Sequence, residues 1–340
     1  MKCENSRSVL VRLGLFLSIM VLVCISIDSE FVGRLQGGLV PSFATSKAGL
    51  VENANRLVWK RFGENIDFLD ERLRVINYTI VPAPSSYCYK HFVVVVASRT
   101  NDSTRRTRLR NTYGRFGNEF NFRVLFILGM PGTESDEQAI EQEAKDHGDI
   151  LQAKFVDSYR NLTIKNISAM RYVASVCTEV KAVLKVDDDV AWNVLETSLL
   201  VNSAAANGSI HCPQIQKPPV RDPNSTWYIS EEEFPGEMYP PYCCGFAYLI
   251  PVPALQTILN ATKTERLIHM EDVFITGQLA QKSGVNHVNI MDRVSFYRDD
   301  HLWFSEAIFT LVPDSQAIDF FVLSNAKWFL QRFLPGTINS

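Results

Sequence analysis

Three adjacent carboxylates, Asp187-Asp188-Asp189, close the strand-like run Val183-Leu184-Lys185-Val186. They repel one another, so a fold that gathers them at a strand end calls for a compensating cation. Hard oxygen ligands of this kind suit Mg²⁺ or Mn²⁺ far better than zinc, and such sites keep positions open for a substrate's phosphate oxygens. The plainer alternative is a solvated acidic turn capping a helix that starts near Trp192. A second acidic pair, Glu271-Asp272, follows His269-Met270 and precedes an apolar segment that reads as a helix ending at Lys282. At a helix start such acids either stabilise the dipole or supply a general base. Arg105, Arg106, Arg108 and Arg110 open another helix, where guanidiniums hold a diphosphate through bidentate bonds or form a solvated basic face. Asp157 and Asn161 read as turn and cap residues, and Tyr239 to Tyr248, rich in prolines, aromatics and small residues, as a sugar-binding wall or as core.

These side chains need a scaffold. Phe92 to Ala97 is a continuous apolar, β-branched run, the mark of a strand buried on both faces. Arg105 to Tyr113 follows as a basic helix, Phe122 to Leu128 as a second strand and Ser135 to His147 as an acidic helix. Thr163 to Val180 sets Ile164, Ile167, Met170, Val173, Val176 and Val180 on one helical face, and Val183 to Val186 then delivers the aspartates. Strands alternating with helices predict an α/β fold, a mostly parallel sheet with helices on both faces, whose ligands bind beyond the carboxyl ends of the strands. Neither GxGxxG nor GxxxxGK[ST] occurs, so a dinucleotide fold and a P-loop are unsupported.

With 340 residues, 46% of them apolar, and a net charge of −3, the chain suits one or two globular domains and offers no basic surface for nucleic acid. Residues 9–27 are apolar apart from Arg12 and a few small polar residues, about 28 Å as a helix. Lys2, Arg7 and Arg12 lie before or at the start of this segment, and Asp28 and Glu30 follow it. The positive-inside rule therefore predicts a cytoplasmic tail (residues 1–8), a single-pass transmembrane signal anchor (9–27) and a translocated remainder. A cleaved signal peptide is the rival, disfavoured by the length of the apolar core and the lack of a small-residue cleavage site. Seven N-glycosylation sequons, at Asn77, Asn101, Asn161, Asn166, Asn207, Asn224 and Asn260, all follow the anchor and agree with that orientation. Cys88, Cys177, Cys212, Cys243 and Cys244 would enter an oxidising compartment; disulfides are expected, the connectivity is open, and an odd count leaves one thiol over. Residues 28–87 read as a stem and residues 88–340 as the catalytic domain. In the stem, Phe62, Ile66, Leu69, Leu73 and Ile76 predict a helical stripe, which packs on the catalytic domain or pairs with a second copy as a homodimer.

In this order the segments resemble glycosyltransferase family 31, the β-1,3-galactosyl- and β-1,3-N-acetylglucosaminyltransferases, from about Phe92 to Gly284. The family's R-x-x-I-R-x-T-W-G resembles Arg106 to Gly114, with Tyr113 for the tryptophan, and its strand ending L-G resembles Phe122 to Gly129. Its D-F-x-D-x-Y-x-N-L-T-x-K is close to Lys154 to Lys165. K-V-D-D-D is matched at Lys185 to Asp189 and E-D-V at Glu271 to Val273. The chain departs from Y-C-S-G-G-G-Y, here Tyr242-Cys243-Cys244-Gly245-Phe246-Ala247-Tyr248. It also lacks the family's metal-ligating histidine in Phe309 to Pro313, where His301 and His287 are the nearest substitutes.

The resemblance implies a nucleotide-diphospho-sugar transferase (GT-A-like) fold, type II Golgi membrane topology and Mn²⁺ or Mg²⁺. It implies a UDP-sugar donor, UDP-galactose or UDP-N-acetylglucosamine, and a glycan acceptor on protein or lipid, joined in a β-1,3 linkage with inversion. On that basis Asp189 and Asp187 are expected on the metal. Ser98, Arg106, Arg110, Asp187, Asp188 and Gly245 are expected on the donor, and Asp272, with Glu271 beside it, in catalysis. The departures leave a second reading, a catalytically weak member that binds a glycan or a partner enzyme as a Golgi scaffold. A metal-dependent phosphohydrolase, a third, would need a second metal cluster that the sequence does not supply.

Overall fold

A computed structural model of the chain describes residues 46–296 and 307–311. Its strands, in chain order, are β1 (Tyr78–Ile80), β2 (Phe92–Ala97), β3 (Phe122–Met130), β4 (Ile150–Val156), β5 (Ala182–Asp187), β6 (Val190–Trp192) and β7 (Ile210–Cys212). They continue with β8 (Gln214–Ile215), β9 (Tyr242–Cys243), β10 (Ala247–Pro251), β11 (His287–Asn289), β12 (Val294–Phe296) and β13 (Phe309–Leu311). Eight of them form the central sheet in the order β1-β4-β3-β2-β5-β10-β7-β11. The run β4-β3-β2-β5 is parallel. Antiparallel pairings of β1 on β4 and of β10 on β5 and β7 make the whole sheet mixed.

The parallel centre follows from the side chains. Phe92 through Val96 are fully buried, and alternation along β2 sends Val93 and Val95 to one face. There they meet Leu125, Ile127 and Leu151 under the helices Lys47–Phe62, Leu162–Val176 and Val252–Ala261. On the opposite face Ile140 of the helix Glu134–His147 packs on Leu128 and Ile150. The four parallel strands therefore end on one side of the sheet, bringing Ser98, Gly129, Asp157 and Asp187 to a common edge.

Two expectations are corrected. The apolar stripe from Phe62 to Ile76 is not a helix. The helix precedes it, buries Ala54, Val58 and Phe62 at four-residue spacing, and stops at Gly63, whose N–H and that of Glu64 both bond the Trp59 carbonyl. A side chain at Gly63 would strike the Trp59 ring 2.7 Å away, and Asn65 then takes a left-handed conformation (φ 54°) that ends the helical path. Beyond it Phe68 is buried in irregular chain and Leu73 at the end of the single 3-10 turn Glu71–Leu73, while Leu69 is 60% exposed. Nor do residues 46–87 stand apart as a stem: β1 is a strand of the central sheet, and the helix Lys47–Phe62 packs on the helix Leu162–Val176.

Two disulfides join Cys88 to Cys177 and Cys212 to Cys243, leaving Cys244 free. Asn166 is fully buried on the helix Leu162–Val176, so a glycan there is incompatible with the fold, whereas Asn77, Asn101, Asn207, Asn224 and Asn260 are exposed and Asn161 half-buried. The expected anchor (residues 9–27), His301 and Pro313 lie outside the described residues, among which no helix is long and apolar enough to cross a membrane.

Candidate active site

β5 and β10 run antiparallel, with Lys185 opposite Tyr248 and Val186 opposite Ala247. The Asp187 N–H bonds the Phe246 carbonyl at 2.9 Å, so the aspartate run and the Gly245-Phe246 segment leave the sheet together. Asp188 and Asp189 form the tight turn into β6. The cap of the following helix, Val194–Asn207, is Asn193, whose side chain accepts from the Glu196 N–H at 3.1 Å. The acidic run is therefore no helix cap.

Lys185 occupies the centre of the site. Its strand is buried on both faces, and its own side chain is 1% exposed. The ammonium donates to Asp187 Oδ1 at 2.5 Å and to the Gly245 carbonyl, and lies 3.7 Å from Glu271 Oε2. Burial alone would lower its pKa, but the charges of Asp187 and Glu271 hold it above the ordinary lysine value. One fixed cation thus ties the aspartate run to the second acidic pair. An unbroken apolar run would not carry a lysine unless that lysine had buried partners, a signal present in the sequence and given no role there.

Within the second pair the two acids face different surroundings. Glu271 is buried and accepts a hydrogen bond from the Tyr248 hydroxyl; burial, opposed by Lys185 and reinforced by Asp272, raises its pKa to about 7. Asp272 is half-buried and lines an open cleft of about 380 Å³ together with Lys185, Asp187, Gly245 and Phe246. Burial raises its pKa, with the Val273 N–H and Lys185 pulling the other way. The Thr276 hydroxyl accepts from the Cys243 N–H at 2.9 Å and donates to the Asp272 carbonyl at 2.6 Å, locking β9 to the acid's turn. Gly245 lies directly against Asp272: an added Cβ would sit 3.0 Å from Oδ2 and 3.3 Å from Cγ.

The arginines divide between the two sides of their helix, Ser103–Asn111. Arg106, 1% exposed, uses all five N–H donors within the protein: two on Glu143 at 2.8 and 2.7 Å, the others on the Ser98 hydroxyl and the carbonyls of Arg99 and Thr100. Arg110 grips Asp149 at 2.6 and 2.7 Å and Glu143 at 2.8 Å. Arg106 and Arg110, expected on the diphosphate, are thus held by these carboxylates, and Ser98, expected beside them, is 1% exposed inside the same network. The arginines brought to the acidic turn are Arg105, 2.7 Å from Asp188 Oδ1, and Arg108, which donates to the Asp188 carbonyl at 2.8 Å. Helical spacing could have separated these pairs, because positions three and four apart share a face. Asp157 serves the scaffold, bonding the Lys165 ammonium at 2.6 Å and the Gly129 N–H at 3.2 Å. His287 bonds the Thr276 carbonyl at 2.7 Å.

The chemistry of the aspartate run fits a divalent cation. Its oxygens are hard donors, and Asp189 is exposed on the turn. Burial raises the Asp187 and Asp188 pKa values; Lys185 and Arg105 respectively oppose this, and the neighbouring aspartates reinforce it, a crowding of charge that a cation relieves. Among the described residues no three His, Cys, Asp or Glu side chains converge to hold an ion by themselves.

Residues 104–291, which include both acidic motifs, match the family model described as Galactosyltransferase. Beta-1,3-galactosyltransferase 1 of Mus musculus is 30% identical over 257 residues, 69% of this chain and 78% of the relative. Beta-1,3-galactosyltransferase 5 of Homo sapiens is 30% identical over 187 residues, 54% of this chain and 60% of the relative. Among solved structures, the mannosyltransferase PcManGT from Pyrobaculum calidifontis, in complex with GDP-Man and Mn²⁺, shares 12% identity at a TM-score of 0.38. That comparison covers 83% of this chain and 73% of that one, and the likeness is too loose to carry chemistry across.

Proposed function

Because the chain belongs to the galactosyltransferase family, glycosyltransferase family 31, and is a glycosyltransferase, we propose that it transfers galactose or N-acetylglucosamine from a UDP-sugar to a glycan hydroxyl. The transfer inverts the anomeric centre and forms a β-1,3 linkage on a glycoprotein or glycolipid. The observation that carries this reading is the convergence of Asp187 and Glu271 on one buried lysine that lines the same cleft as Asp272. The parallel β4-β3-β2-β5 centre, with its strand ends at that cleft, supports a GT-A-like fold.

Asp272 is the base. The acceptor oxygen attacks the anomeric carbon and its proton passes to the Asp272 carboxylate. The bond from that carbon to the phosphate oxygen breaks, and UDP leaves with the electron pair. Glu271 stays behind the reaction, held by Tyr248 and Lys185, and fixes the turn that aims Asp272. Arg105 and Arg108 orient Asp188, and Lys185 orients Asp187. Mn²⁺ or Mg²⁺ would be held by Asp189 and Asp187, and when bound it would neutralise charge on the departing diphosphate. The reading extends to a Golgi-lumenal catalytic body on a type II anchor. Its two disulfides support an oxidising compartment.

Asp272→Asn is nearly isosteric and removes the proton acceptor. It is expected to lower kcat by about 10²-fold or more while leaving UDP affinity unchanged, and Glu271→Gln to give a smaller loss. Rates measured against an array of UDP-sugars and acceptors, with UDP binding followed separately, test this. Near-normal turnover in Asp272→Asn beside a dead Glu271→Gln would exchange the two roles. Release of free phosphate instead of UDP and glycoside would remove the transferase reading.

A further inference from the structure

Among the large apolar side chains that the described fold leaves exposed, two line the active-site cleft: Trp227, 58% exposed, and Tyr159, 52% exposed. They arrive from different directions. Tyr159 stands on the turn after β4, and Trp227 on the long loop between β8 and β9. Both rings line the cleft together with Asp272, Gly245 and Phe246.

The loop that presents Trp227 is firmly organised. Arg221 donates to the carbonyls of Ile229, Phe234 and Gly236 at 2.7, 2.6 and 3.2 Å. Asp222 accepts from the Asn224 N–H at 3.0 Å, and the Ser225 hydroxyl accepts from the Trp227 N–H at 3.1 Å. Glu233 then fastens this loop to the other two walls. It takes Arg160, the neighbour of Tyr159, at 3.2 Å, and it takes the His269 N–H and Nδ1 at 2.9 and 2.7 Å, three residues before Asp272. The rings therefore have a fixed relation to the base. Preorganisation of this kind removes ordering cost from binding.

We propose that Trp227 and Tyr159 are the platform of the acceptor subsite. They stack against the continuous C–H face of a terminal hexopyranose, such as a galactose-type ring, and turn its reacting hydroxyl toward Asp272. This rests on the transferase reading above and names its acceptor side. A flat aromatic pair suits a pyranose, whose ring C–H bonds form an apolar face for stacking. The donor's uracil could also stack on an aromatic ring, but these two rings share their cleft with Asp272, the base that must meet the acceptor hydroxyl. Neither Asp188, Asp189, Arg105 nor Arg108 lines the cleft that these rings share with the base.

The test uses the full-length protein with a hexose-terminated acceptor. Trp227→Ala is expected to raise the acceptor KM about tenfold, the usual scale for losing a central aromatic contact, with UDP affinity unchanged. Trp227→Phe keeps a ring and is expected to restore most of the affinity, while a merely structural tryptophan would show no such split between KM and UDP binding. An unchanged acceptor KM in Trp227→Ala overturns the proposal, as does weakened UDP binding in its place. Should Trp227→Ala not fold, acceptor titration of the native protein, read by tryptophan emission, decides instead. A saturable change that is lost in Trp227→Phe supports the platform, and no change or one that persists in the variant overturns it. That binding measurement needs no turnover. A protein that binds the glycan on Trp227 without transferring sugar thus defeats the transferase reading alone, and one that transfers sugar without using Trp227 defeats the platform alone.

Discussion

At the scale of single residues, burial separates two acids that sequence sets side by side. Glu271 is 4% exposed, its nearest charge is Lys185, and its folded pKa is about 7 against an ordinary glutamate value of 4.5. The raised value means that folding favours the protonated form. The stabilisation is complete below about pH 4.5 and is lost as pH rises through about 7, up to about 3 kcal/mol in all. Glu271→Gln keeps an acceptor for the Tyr248 hydroxyl and cannot titrate. Urea unfolding at intervals from pH 4.5 to 8 is expected to show native stability falling relative to the variant across that window. Parallel curves would mean that Glu271 carries its charge at all these pH values and that the opposing pull of Lys185 outweighs burial.

At the scale of elements, the helix Ser103–Asn111 has two working sides. Arg106 and Arg110 face the carboxylates of Glu143 and Asp149, while Arg105 and Arg108 face the acidic turn. Removing one partner of a buried ion pair leaves the other charge uncompensated, typically at a cost of about 3–5 kcal/mol. Because Glu143 keeps Arg110 as a second partner, Arg106→Met is expected to destabilise by less than that, with the folded fraction keeping near-native KM for the UDP-sugar. Arg105→Ala should leave the melting temperature almost unmoved and lower kcat/KM, since Arg105 is partly exposed and holds Asp188. Melting curves and initial rates on both variants check this. An Arg106 variant that melts normally but loses donor affinity would return that guanidinium to the diphosphate.

At the scale of the whole molecule, the folded body begins well before Cys88. The helix Lys47–Phe62 buries Ala54, Val58 and Phe62 in the main core, and β1 closes one edge of the central sheet against β4. A chain starting at residue 46 is expected to fold and to melt cooperatively. One starting at residue 88 would expose the β4 edge and the helix Leu162–Val176, and should aggregate or unfold at room temperature. Expression of both, followed by size-exclusion chromatography and thermal melting, distinguishes them. A stable monomer from residue 88 onward would restore the stem reading.

Much was legible from residue order alone. The apolar run at Phe92 and the strand-like run at Val183 read as buried strands, the carboxylates beyond Val186 then fell at a strand end, and the five cysteines after residue 27 left one thiol over. Those conclusions depend on periodicity and on parity, which are local or arithmetic. What required tertiary structure was partnership. Which arginines meet Glu143, which cysteine is Cys244's bonded neighbour's mate, why Gly63 halts a helix that spacing extends to Ile76, and that Asn166 is enclosed all depend on elements distant in sequence. The same holds for Lys185, which meets Asp187 within its own strand but Gly245 and Glu271 only because β10 and the turn before Asp272 fold over it. A side chain's type states the interactions it can make; only the packed fold decides which partner it meets and whether water is excluded, and those two conditions set its charge and its work.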